Sequence, residues 1–180
     1  MKIICIGRNY VAHAKELNNE VPDEPVFFMK PDSALLRNND PFYLPGWTND
    51  VHHEIELVLK IKRLGKNIEK RFAQRYYDEI GLGIDFTARD IQQKLKEKGL
   101  PWEKAKAFDQ SAVISSDFIP VSELQEPASI KFQLQLNGKT VQNGDSALMI
   151  FPIDELITQI SKYFTLKIGD LIYTGTPAGV

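Results

Sequence analysis

His52-His53-Glu54-Ile55-Glu56-Leu57-Val58-Leu59-Lys60 is the stretch whose reading decides the fold. Val51 to Lys60 reads as a β-strand, because Ile55, Leu57 and Leu59 alternate with Glu54, Glu56, Val58 and Lys60. Side chains on a strand share a face at every second position, so Glu54 and Glu56 project side by side. Like charges that close repel, and the strand around them is apolar. Solvent can offset the repulsion, as on a wet edge strand. A pair of Lys or Arg side chains can do so too, and so can a divalent cation.

Outward from this strand, Gly81 to Asp90 is the second informative stretch. A short glycine-flanked strand ends at Asp85. Thr87 with Asp90 three residues on has the form of a capping box, opening a helix that stops at Gly99 before Pro101. Asp85 is then either the seat of a local Asx turn or a third carboxylate facing the first two. Arg89 and Gln92 are three apart on the helix and share a face, so they can line one cleft. Upstream, Ile3 to Ile6 is a short strand ended by Gly7, and Asn9 is placed to cap a short helix. His13 and Glu16 share a face of that helix, either as a surface pair or as an imidazole polarised by a carboxylate.

The other segments fill in the frame. Val26 to Met29 is a buried strand ending at Lys30-Pro31, and the loop from Val21 to Pro25 precedes it. Asn67 to about Ile80 reads as a helix from the spacing of Ile68, Phe72, Ala73, Tyr76 and Ile80. Pro101 to Phe108 reads as a loop in which Lys106, like most lysines, lies at the surface. Ile130, Phe132, Leu134 and Leu136 alternate into Asn137-Gly138, a hairpin signal. Pro152 opens a helix with an apolar face of Ile153, Leu156, Ile157 and Ile160, and Leu171 to Tyr173 is a last strand. Strands outnumber helices without regular alternation, so the expected class is α+β, mainly β.

Composition narrows the functions. The 180 residues, 43% hydrophobic and 26% charged with a net charge of −2, describe one globular domain, residues 1–180, able to bury a core without staples. No basic stripe marks a nucleic-acid binder, and no apolar run is long enough to span a membrane. Cys5, the one cysteine, cannot form an internal disulfide, which points to a reducing cytoplasm and a buried strand position.

Taken together, Gly7-Arg8-Asn9-Tyr10, the His13/Glu16 pair, His53 to Leu57, Asp85 to Asp90, Lys106 and Thr174-Gly175-Thr176-Pro177 resemble, in order and spacing, the fumarylacetoacetate hydrolase family. The likeness is to its short acylpyruvate hydrolase and oxaloacetate decarboxylase branch, and it spans essentially the whole chain. It implies a mixed β-roll of packed sheets with a few peripheral helices, usually dimeric. It also implies a metal site at Glu54, Glu56 and Asp85, normally for Mg²⁺, with Mn²⁺ or Ca²⁺ as substitutes. The region of His13 and Glu16 would act as a lid over bound ligand. Family members usually continue past the Gly-Thr-Pro turn with further strands, and this chain stops at Val180.

The ligand chemistry agrees with that resemblance. Carboxylates without a nearby cysteine make a hard oxygen site suited to Mg²⁺, Mn²⁺ or Ca²⁺. His52 and His53 flank the acids, but structural or supporting roles suit them better than ligation. A 2-oxo acid substrate could add its carboxylate and ketone oxygens, and its charge would need Arg8, Arg89 and Lys106. In this scheme Glu16 orients His13, His13 deprotonates an attacking water, and Lys106 and Thr176 hold the substrate carboxylate or enolate. The expected function is therefore metal-dependent C–C hydrolysis of acylpyruvate-type 2,4-dioxo acids through a pyruvate enolate. The alternatives are oxaloacetate decarboxylation, isomerisation of 2-hydroxyhepta-2,4-diene-1,7-dioate, and a metal-stabilised scaffold without catalysis.

Overall fold

The computed structural model describes residues 1–180. Eleven strands run in chain order: β1 (Ile3–Gly7), β2 (Val26–Lys30), β3 (Leu35–Leu36), β4 (Val51–His52), β5 (Ile55–Ile61), β6 (Tyr77–Asp85), β7 (Thr87–Ala88), β8 (Ala112–Pro120), β9 (Lys131–Leu136), β10 (Lys139–Asp145) and β11 (Leu171–Tyr173). Four helices join them: α1 (Val11–Glu16), α2 (Arg89–Glu97), α3 (Glu103–Lys106) and α4 (Ile153–Tyr163). A seven-stranded mixed sheet in the order β2-β1-β11-β5-β6-β8-β3 carries the molecule, with β9–β10 and β4–β7 as separate two-stranded ribbons. The fold is thus sheet-dominated with few helices, as the strand count implied.

Alternation along the strands divides the core between the two faces of the sheet. Ile55, Leu57, Leu59 and Ile61 of β5 join Ile4, Ile6 and Ile172, under the apolar face of α4 formed by Leu156, Ile157 and Ile160. On the other face Val58 meets Ile3, Cys5, Ala112, Leu171 and Tyr173. Glu56 has the parity of Val58, so it too points to this second face. β5 is an inner strand, flanked by β11 and β6, so the wet-edge reading of its acids does not hold.

The register brings the third acid alongside. β5 and β6 are antiparallel, with Ile55 opposite Ile84 and Glu56 opposite Gly83. The Asp85 N–H donates to the Glu54 carbonyl (2.9 Å), which fixes the end of β6 beside the start of β5. Gly83 is required here, because a Cβ would lie 2.6 Å from both the Val113 carbonyl oxygen and the Tyr173 ring.

Four local expectations are corrected. Residues 67–80 are not one helix: Lys70–Arg75 is a short 3₁₀ segment and Tyr77 already begins β6. The apolar residues at helical spacing are real core members, but they sit on two elements. Asn9 caps nothing; its buried carboxamide donates to the Thr174 (2.8 Å) and Phe151 (3.1 Å) carbonyls and accepts from Phe151 N. Thr87 and Asp90 form no capping box, since α2 is preceded by Ala88 and Asp90 bonds the Thr48 hydroxyl instead. Val51–Lys60 is interrupted at His53-Glu54, dividing β4 from β5. The Asn137-Gly138 hairpin, with both residues at positive φ (51° and 77°), forms as read.

Candidate active site

Glu54, Glu56 and Asp85 each offer a carboxylate oxygen within 4.8 Å of the others, and all are buried. Three cations surround them. Lys106 Nζ donates to Glu54 Oε2 (2.7 Å) and Asp85 Oδ2 (2.8 Å). Arg89 pairs with the other Glu54 oxygen. Lys30 Nζ stands 2.8 Å from Asp85 Oδ1 and donates to the Ser111 carbonyl (2.9 Å). Lys106 is therefore not a surface lysine: α3 carries it inward, 3% exposed, against the Phe28 ring.

Burial alone would raise the Glu54 carboxyl, but Lys106 and Arg89 hold it well below the usual carboxylate range. Glu56 is different. It accepts one hydrogen bond, from the Gly175 N–H (2.6 Å), and no Lys or Arg pairs with it. Burial, with Asp85 and Glu54 as charged neighbours, pushes its carboxyl well above the usual range. Asp85 Oδ1 also makes no hydrogen bond, because Lys30 approaches it off the hydrogen-bonding direction. A buried carboxylate without a counter-ion and an orphaned carboxylate oxygen are features a hard divalent cation would satisfy, so the residues fit such an ion.

His13, 5% exposed, faces the same pocket. Its Nδ1 makes no hydrogen bond and lies 3.6 Å from Glu16 Oε2. Burial lowers its pKa, with Arg89 and Lys106 acting the same way and Glu54 opposing, so the ring is neutral at neutral pH. Glu16 accepts from the Gly179 N–H through both oxygens (3.1 Å each), which ties α1 to the segment after β11. Arg8, Gln92 and Thr176 also line the pocket, a small cavity of about 30 Å³ that is partly open to solvent. All the residues singled out from the sequence thus meet in or beside one cavity, Asp85 and Glu16 through their neighbours.

The supporting contacts explain the placement. Gln92 Oε1 accepts from Arg89 Nη1 (2.6 Å) and His52 Nδ1 accepts from Arg89 Nε (3.2 Å), so a neighbour on α2 and one on β4 fix the guanidinium. His52 acts as a support and His53 is outside the acid cluster. Gln142 of β10 spans two parts of the site: its Oε1 accepts from Ile55 N (2.9 Å), and its Nε2 donates to Thr176 Oγ1 and Pro177 O (2.9 Å each). Lys30 and Gln142 were not foreseen. The signal for Lys30 was its phase with Phe28 at the end of an apolar strand; for Gln142 there was none.

The model of the fumarylacetoacetate (FAA) hydrolase C-terminal family matches residues 2–180. Oxaloacetate tautomerase YcgM of Escherichia coli K12 is 43% identical over 180 residues, covering 99% of this chain and 82% of the relative. The mitochondrial oxaloacetate decarboxylase of Dictyostelium discoideum is 42% identical with the same coverage. The crystal structure of a fumarylpyruvate hydrolase from Pseudomonas aeruginosa in complex with Mn²⁺ and pyruvate superimposes with a TM-score of 0.93 at 36% identity, over 99% of this chain and 78% of that one.

Proposed function

The chain belongs to the fumarylacetoacetate hydrolase family, and from that premise we propose that it acts on oxaloacetate, shifting the proton between its keto and enol forms and also releasing carbon dioxide from it. This replaces acylpyruvate hydrolysis as the first reading, because the relatives named for oxaloacetate are the more similar. The observation that carries it is His13: a buried, neutral imidazole with an unused Nδ1, in one pocket with Glu54 and Glu56 of the acid trio.

A divalent cation held by Glu54, Glu56 and Asp85 would supply Lewis-acid stabilisation of enolate charge; Mn²⁺ in the Pseudomonas relative supports a divalent ion there. The protein's own groups do the rest. Arg89 and Lys106 bring positive charge to the inner end, where the 2-oxo acid carboxylate is held. Thr176 Oγ1 accepts from Gln142, which leaves its own O–H free to donate to that carboxylate. His13 takes the proton from C3 of the keto form, and the electron pair moves onto the ketone oxygen as it becomes an enolate. The imidazolium is stabilised by Glu16 and returns the proton to that oxygen, giving the enol. In decarboxylation the C3–C4 bond breaks instead, its electrons reach the same oxygen and carbon dioxide leaves; C3 then takes a proton that His13 relays from solvent, the imidazole drawing a proton from water as it gives one up.

A second reading remains, hydrolysis of an acylpyruvate, in which the His13–Glu16 pair would deprotonate a water. One experiment separates them. The loss of enol absorbance of oxaloacetate is followed with Mg²⁺, with EDTA, and in His13→Gln. The expected result is an EDTA-sensitive rate that falls about 100-fold or more in the variant while Mg²⁺ binding persists. An EDTA-insensitive rate would overturn the proposal, and faster cleavage of acetylpyruvate than tautomerisation of oxaloacetate would favour the second reading.

A further inference from the structure

The mouth of the pocket is cationic without an acidic partner. Arg8 and Lys96 both line it, and the only acids lining it are Glu54 and Glu56 at the inner end. Glu54 is already taken by Lys106 and Arg89. Lys96 lies on α2 at the spacing of Arg89 and Gln92, positions i, i+3 and i+7 that share one helix face. Its Nζ donates to Asn19 Oδ1 (2.7 Å), and Asn19 is itself anchored by its N–H to the Ala14 carbonyl (2.8 Å) at the end of α1. That bond leaves the Asn19 amide N–H₂ free. Arg8 and Arg89 line the same pocket as Lys96; burial lowers the Lys96 pKa, and these two charges act in the same direction. Arg8, which also lines the pocket, has a left-handed backbone (φ 60°), a costly conformation for a residue with a side chain.

We propose that Lys96, seated by Asn19 and facing Arg8, binds the substrate carboxylate remote from the acid trio and so makes the enzyme selective for 2-oxo diacids over monoacids. This rests on the oxaloacetate reading above and gives it a specificity device. The inner cations hold the carboxylate beside the ketone; the outer ones have no other anion to meet. Oxaloacetate carries a second carboxylate two bonds beyond its ketone carbon, whereas an acylpyruvate such as acetylpyruvate ends in an uncharged group.

The test compares oxaloacetate with its 4-methyl ester, which keeps the enol chemistry and loses the remote charge. In the Mg²⁺-loaded protein, kcat/KM for tautomerisation is measured in wild type, Lys96→Met, Lys96→Arg and, as a control for general charge, Lys94→Met. Lys96→Met lowers kcat/KM for the diacid about tenfold or more, chiefly through KM, and leaves the ester within about twofold, as expected for one charged hydrogen bond. Lys96→Arg restores most of the loss and Lys94→Met causes none. Equal losses on both substrates, or no loss on the diacid, would overturn the proposal. If wild type turns over neither compound, the oxaloacetate reading fails by itself. Calorimetric binding of the two compounds then decides: the diacid must lose affinity in Lys96→Met while the ester does not.

Discussion

Lys30→Met tests whether the acid cluster is held by its cations or only surrounded by them. Lys30 is 2% exposed; its Nζ lies 2.8 Å from Asp85 Oδ1 and bonds the carbonyls of Ser111 (2.9 Å) and Phe86 (3.3 Å). At an effective dielectric of about 20, opposite charges at that distance attract by about 6 kcal/mol. Part of this is returned, because the ammonium no longer has to leave water and the methionine is at home in the core. Removing one partner of a buried pair nevertheless costs about 3–5 kcal/mol, since the other charge stays behind. Lys106 cannot make up the deficit, as it already serves both Glu54 and Asp85. In EDTA, urea unfolding of Lys30→Met is expected to lose about 3–5 kcal/mol against wild type, or about 6–20 °C in Tm for a chain of this size. In saturating Mg²⁺ the loss should shrink to about half or less, because a bound ion restores positive charge beside Asp85 and binds only the folded state. A loss under about 1 kcal/mol in EDTA, or an equal loss in both conditions, would refute the reasoning.

Two further outcomes follow from backbone and charge elsewhere in the fold. Gly175 has φ 100°, and a Cβ there would lie 2.6 Å from Asn9 Cβ, so Gly175→Ala should cost more than about 2 kcal/mol and weaken Mg²⁺ binding through the displaced N–H on Glu56. Gly169→Ala, at φ 85° with open space around it, should cost only about 1–2 kcal/mol in chemical denaturation and leave Mg²⁺ affinity alone. At Asp170, burial would raise the carboxyl, but the Lys2 side chain and the N–H groups of Lys2 and Lys167 hold it below the usual range. A depressed folded pKa gives stability that is fully present above the unfolded value, about 4, and is lost as pH falls through the folded one. Wild type should therefore lose more stability than Asp170→Asn between about pH 5 and pH 2, and parallel curves would contradict this.

Much of the site was legible because its chemistry is written at strand period. Glu54 and Glu56 sit two apart at the head of β5, whose other face is aliphatic, and Asp85 ends the glycine-bearing β6; their juxtaposition survives folding although Glu54 falls in the break before β5. Arg89 and Gln92 were equally readable from helix spacing, and they bond each other at 2.6 Å. Failures came where tertiary contacts outweighed local pattern. Ile68, Phe72, Ala73, Tyr76 and Ile80 mimic a helix face, yet Tyr77 to Asp85 pairs with β5 and β8 on its two sides, which satisfies the backbone better than a helix could. Lys106 looked like a surface lysine because nothing local shows that two distant carboxylates await it. Thr87 and Asp90 looked like a cap because the competing hydroxyl, Thr48, is 42 residues away.

The Asn9 carboxamide and the Gly175 N–H join segments that the chain synthesises far apart: Asn9 reaches the Thr174 carbonyl across 165 residues, and Gly175 reaches Glu56 across 119. Such closures are slow and come late in folding. A nascent chain that has not yet delivered the segment after β11 has Asp85 held by β5, Lys30 and Lys106, but Glu56 lacks its one hydrogen bond, from Gly175. Cation binding should then tighten once Gly175 has joined the fold, and an ion titration on ribosome-stalled chains of increasing length would mark that step.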